Sequence, residues 1–88
     1  MKGIITVLGK DQVGIIARVC TYLSNNGINI LDISQSIIDG YFNMLMIVDI
    51  SAAERFEELA DALKTLGEEI GVAIKLQHED IFNTMHRI

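Results

Sequence analysis

Apolar residues along the chain follow two alternating periods. Residues 3–8, GIITVL, are a short β-branched run ended by Gly9, the pattern of a buried strand. From Val13 to Asn26 the period becomes helical. Ile15, Val19 and Leu23 recur every fourth residue, Ile16 and Cys20 widen the stripe, and Arg18, Thr21 and Asn25 share the other side. Gly27 stands where such a helix usually closes. Two strands follow, INILDISQSII at 28–38 and YFNMLMIVDI at 41–50, both rich in β-branched and aromatic residues. Asp39-Gly40 between them predicts a two-residue hairpin. Ser51-Ala52-Ala53-Glu54 has the spacing of a capping box, and Phe56, Leu59, Leu63, Leu66 and Ile70 then form one helical stripe. Ile70 stays in phase, so this helix is expected to pass through Gly67 and stop at Gly71. VAIKLQ, 72–77, is a fourth strand with clean alternation. In the tail, Ile81, Phe82, Met85 and Ile88 fall at helical spacing, with acidic residues first and Arg87 near the end. That polarity suits the helix dipole, so a short C-terminal helix docked by its apolar side is expected.

The order β-α-β-β-α-β defines an α+β domain of the split βαβ, or ferredoxin-like, arrangement. Two right-handed crossovers put both helices on one face of a four-stranded antiparallel sheet, with the short C-terminal helix added. The other face should then be open. Yet the third strand is apolar on both sides, with Phe42, Met44, Met46 and Val48 pointing one way and Leu45 and Ile47 the other. A one-sided sheet would alternate apolar with polar. Part of the second face is expected under the tail helix, and the rest under another subunit.

Composition strengthens the case for a partner chain. At 88 residues the chain makes one domain, and folding at this size buries only about 60–65% of the unfolded surface. The single cysteine, Cys20, excludes an intrachain disulfide, and no Cys/His cluster suggests a structural metal. Half the residues are hydrophobic, so the expected supplement is a homodimer. A formal charge of −5 argues against nucleic-acid backbone contacts. Glu54, Glu57, Glu58, Glu68 and Glu69 read as a solvated helical face. The first apolar run is too short for a signal peptide or a membrane span, which makes the cytoplasm the default compartment.

The stretch LGKDQVGIIARV, 8–19, carries the most chemistry. Gly9 and Gly14 have the spacing of a phosphate-cradling loop. A nucleotide P-loop, however, needs lysine and a hydroxyl residue after the second glycine, and Ile15-Ile16 stand there. Lys10 lies on the wrong side of Gly14, and G-x-G-x-x-G is absent. What remains is a loop leading into a helix, where unpaired backbone N–H groups favour a negative group. Gly14 would let a ligand or another chain approach the backbone, and Asp11 could cap the helix or accept from an ammonium group. The competing reading is a capped corner with Gly14 packed against a neighbouring strand.

Residues 7–34, from VLGKDQVG through GINILDIS, resemble the opening half of an ACT domain, a small regulatory module found on many enzymes of amino-acid metabolism. The pattern is a loop D-x-x-G-[hydrophobic]-[hydrophobic]-[A/S]-x-[hydrophobic], then a helix ending in G-[hydrophobic]-N-[hydrophobic]. Asp11, Gly14, Ile15, Ile16, Ala17, Val19, Gly27, Ile28, Asn29 and Ile30 match it. The element order extends the match to about residue 77. The whole chain is similar to stand-alone single-ACT proteins of bacteria and archaea, which implies an ACT domain at 1–78 with a helical extension at 79–88. The resemblance further implies pairing through sheets or edge strands. It also implies an amino-acid site between the first loop of one subunit and the second strand of the other. Carried over by position, the ligand-binding residues are Asp11, Gln12, Val13, Gly14 and Ile15 with Asn29 and Ile30. Asn29 could offer both donor and acceptor, or serve only as a turn-compatible residue after Gly27. Many relatives have proline where Val13 stands, so ligand identity transfers less readily than fold.

Other side chains offer less. His78 and His86, with Glu79 and Asp80 nearby, have an unconvincing spacing for a metal and read as surface or helix-end residues. Cys20 reads as a small buried hydrophobe. Tyr22, Tyr41 and Phe42 would suit base stacking in an RNA-binding domain of this topology, but the acidic charge and the missing Lys/Arg-Gly-aromatic signature oppose it. An acylphosphatase would need a loop arginine, whereas Arg18 falls on the helix. No nucleophile–base pair for a hydrolase is evident. The expectation is a non-enzymatic, cofactor-free sensor that binds an amino acid at a homodimer interface and acts on a separate, unidentified protein. The alternative is an interaction or dimerisation module with a vestigial ligand site. Neither nucleic acid nor membrane is an expected partner.

Overall fold

The computed structural model describes residues 2–10, 14–50 and 55–79. Their elements are β1 (Lys2–Lys10), α1 (Ile15–Asn25), β2 (Asn29–Ile38), β3 (Tyr41–Asp49), α2 (Phe56–Ile70) and β4 (Val72–His78). The sheet runs β2-β3-β1-β4, and every neighbouring pair is antiparallel. This is the expected ferredoxin-like order. The Ser51–Glu54 capping box and the C-terminal helix fall outside the described residues.

The helices share one side of the sheet because their apolar stripes join a single core. Ile5 and Val7 of β1, Met44, Met46 and Val48 of β3, and Ile74 and Leu76 of β4 meet Ile15, Val19 and Leu23 of α1 and Leu59 and Leu63 of α2. Burying each such side chain stabilises the fold by about 1.5–3 kcal/mol before the entropy of ordering it is counted. Asp39 and Gly40 both have positive φ, 51° and 78°, as the two-residue hairpin requires. Element boundaries shift from expectation by one or two residues, most of all around the first corner. β1 continues past Gly9 to Lys10, and α1 begins only at Ile15. The stripe of α1 is also narrower, for Ile16 is exposed and Cys20 half-buried.

The apolar character of β3 on both sides is confirmed by its surroundings. Phe42, Met44, Met46 and Val48 are buried under the helices, while Leu45 and Ile47 are half-buried on the far face. Ile4 is buried on that far face as well, and Leu8 and Tyr41 are exposed there.

β2 is the unusual strand. It lies at an edge and is exposed along its whole length except at Ile30. Leu31 is an extra residue that shifts the register against β3 between Ile30 and Asp32. The shift places Ile30, Ile33 and Ile37 opposite Val48, Met46 and Phe42, on the side of the helices. The helices do not cover them fully: Ile33 is 41% and Ile37 60% exposed.

Candidate functional site

The corner after β1 is built on Gly14, which caps α1 with φ 89° and ψ 2°. A side chain is strained in that left-handed conformation, so the backbone itself calls for glycine. Among the described residues, a β-carbon placed there would meet nothing within 4 Å. The reading in which Gly14 packs against a neighbouring strand is therefore corrected: no described strand closes the space before its backbone. Its carbonyl accepts the Arg18 N–H at 2.9 Å, closing the first turn of α1. Gly9, by contrast, is part of β1, and a β-carbon on it would lie 2.6 Å from Val72 Cγ1. The two glycines that mimic a phosphate loop thus serve separate ends, one a turn and the other close strand packing.

Gly14 borders a shallow groove with Ala17, Arg18, Thr21 and Tyr22 of α1 and Leu66 of α2. Arg18 also lies 3.9 Å from Glu69 of α2, an exposed pair of little energetic weight. Sequence reasoning did not include Arg18 in the site. The signal was its i+4 spacing from Gly14, which places both on one side of the helix. Ile15 is buried beneath the corner as part of the core.

Asn29 is exposed at the first position of β2, and Ile30 beside it is half-buried. Both line a separate open depression with Ser24, Gly27 and Ile28. The first groove follows α1 as far as Asn25, and the 11 residues of the helix span about 16 Å at 1.5 Å per residue. One chain therefore keeps Gly14 and Ile15 at one end of the helix and Asn29 and Ile30 at the other. Asp11, Gln12 and Val13 lie outside the described residues.

The remaining chemistry is dispersed. His78 ends β4 rather than opening a tail, and its ring stacks on Phe56 with centroids 4.0 Å apart. No group of three metal-binding side chains occurs among the described residues. Tyr41 is exposed, Phe42 is buried in the core and Tyr22 lies on α1, so the aromatic residues share no base-stacking face. No described helix is long and apolar enough to cross a membrane.

Residues 3–77 match the family model described as an ACT domain. A UPF0237 protein of Bifidobacterium longum is 61% identical over 88 residues, covering 99% of this chain and 98% of that one. Among solved structures, an ACT domain protein from Streptococcus pneumoniae is 40% identical with a TM-score of 0.85, over 93% of each chain. The regulatory subunit of aspartate kinase from Thermus thermophilus is 28% identical with a TM-score of 0.68, over 86% of this chain and 50% of that one. Motif, strand order and likeness agree, and the chain belongs to the ACT domain family, with relatives that it matches nearly from end to end.

Proposed function

We propose that this protein is a non-catalytic cytoplasmic sensor that works as a homodimer. In this reading an amino acid, or a similar small zwitterion, binds where the β1–α1 corner of one copy meets the start of β2 of the other. The bound dimer then acts by contact on a separate protein. One observation carries the reading: Gly14 and Asn29 stand at opposite ends of α1, so a site that uses both needs a second copy.

The edge of β2 supports such pairing. Apart from the Ile33 N–H, which donates to Asp32 Oδ1 at 2.9 Å, it offers backbone groups unpaired among the described residues together with exposed Leu31, Ile33, Ile37 and Ile38, a combination that draws a second strand. In an antiparallel pair of β2 edges, the start of one strand lies beside the end of the other. Ile38, at that end, is in register with Tyr41, and Tyr41 with Lys10, the last residue of β1 before the corner. Asn29 of one copy is thereby carried to the corner end of its partner. The chemistry suits a zwitterion. Free N–H groups at the start of α1 favour a carboxylate, Asp11 an ammonium group, and Asn29 can both donate and accept.

Thermal unfolding with each common amino acid in turn tests the proposal. A ligand at 100 times its Kd adds about 2.7 kcal/mol of stability. No shift with any of them at millimolar concentration would favour the second reading, an interaction module with a vestigial site. The apolar β2 edge, which needs no ligand to pair, is the observation behind that alternative.

A further inference from the structure

The two edges of the sheet differ in chemistry. β2 is apolar, as described, whereas β4 pairs only with β1 among the described residues and carries a lysine at its centre. Beside β4 lies a cleft of about 700 Å³, lined by Lys64, Gly67 and Glu68 of α2 and by residues 71–75. That volume is within the usual range for binding pockets. The cleft follows the strand edge. Val72 and Ile74 are buried on the side of the helices, and Ala73 and Lys75 alternate with them on the other side.

The charges make this edge unsuited to a second copy of itself. Lys75 is the middle residue of the seven-residue strand, so a two-fold antiparallel pair of β4 edges joined over their full length would oppose Lys75 to its own equivalent. Like charges directly opposite destabilise a strand pair, and a mid-strand lysine is a common block to edge association. On its own sheet Lys75 faces Thr6 of β1, between Ala73 and Gln77. Neither Lys75 nor Lys64 has a carboxylate partner among the described residues. Glu68, on the helix side of the cleft, opposes acidic side chains there.

We propose that the β4 edge accepts an extended segment of another protein by strand addition, with a carboxylate of that segment opposite Lys75. Its alternate residues are apolar and enter the cleft against Val72, Ile74 and the aliphatic stem of Lys64. Main-chain hydrogen bonds along Val72–Leu76 supply affinity, and the alternation of apolar and acidic side chains supplies selectivity. This surface lies across the sheet from β2, so it stands or falls independently of the dimer and its ligand.

The probe is an end-blocked, fluorescein-labelled peptide, Val-Glu-Val-Glu-Val, compared with Val-Lys-Val-Lys-Val. Fluorescence anisotropy should show the glutamate peptide binding tighter by about tenfold, and hydrogen exchange should show it protecting β4 amides. The Lys75→Glu variant, altered at an exposed side chain, should reverse the preference. Binding of neither peptide, or a preference unchanged in Lys75→Glu, would overturn the proposal. So would β4 amides that gain protection with protein concentration alone, since a second copy would then occupy the edge.

Discussion

Gly67 of α2 sits so close to Val72 of β4 that a β-carbon on it would stand 2.5 Å from the Val72 carbonyl oxygen. The last turn of α2 can rest directly on the start of β4 only because this helical position has no side chain. Gly67→Ala raises intrinsic helix propensity by about 1 kcal/mol. The clash is with backbone, which cannot rotate away, and overpacking costs about 1–3 kcal/mol. The variant should therefore be no more stable than the parent, and up to about 2 kcal/mol less so, in urea unfolding. A clear gain in midpoint would mean that α2 and β4 are not held this tightly.

Gly14 fails differently when substituted. Its φ of 89° costs Gly14→Ala about 1–2 kcal/mol, and no steric clash with a described residue adds to that. Because the added methyl group would stand in the open space before the backbone, any amino-acid-induced rise in Tm should shrink by more than the parent stability does. An undiminished rise would separate the corner from the ligand.

Ile37 is 60% exposed on the β2 edge. Ile37→Glu should leave monomer stability within about 0.5 kcal/mol yet shift sedimentation toward the monomer at every concentration. Sedimentation that does not respond to the substitution would place the pairing surface elsewhere. A parent protein that is monomeric at all concentrations would remove the shared site altogether.

Met46 and Leu63 are fully buried, one on the central sheet and the other on α2. Truncating either to alanine should cost about 2–5 kcal/mol, a large share of the stability of a domain this small. Calorimetry should show a Tm fall of several degrees or more in both at every protein concentration. A change within about 0.5 kcal/mol at either position would contradict a core built between the sheet and the helices.

Much of this architecture was legible beforehand because it is encoded locally. Met44 and Met46 share a face with Phe42 through the period of two, and Ile15, Val19 and Leu23 share one through the period of the helix. Asp39-Gly40 announced its turn by composition alone. The candidate site was less legible. The motif placed Gly14 and Asn29 in one functional set, but spacing along a chain says nothing about which end of a helix meets which end of a strand in a second molecule. Asp11, Gln12 and Val13 lie outside the described residues and keep the roles that the resemblance implies.

By itself, then, the sequence determined the order of elements, their apolar faces and the family, since each rests on short-range periodicity or on residues close in the chain. Tertiary structure alone separated three similar-looking glycines: Gly9 yields to Val72, Gly67 to the Val72 carbonyl, and Gly14 to its own backbone. It alone also made β2 an exposed apolar edge and β4 a lysine-marked one. Hydrophobic pattern specifies what a strand can bury. Which strands end up at the edges depends on how the crossovers order them, and that order exists only once the chain has folded.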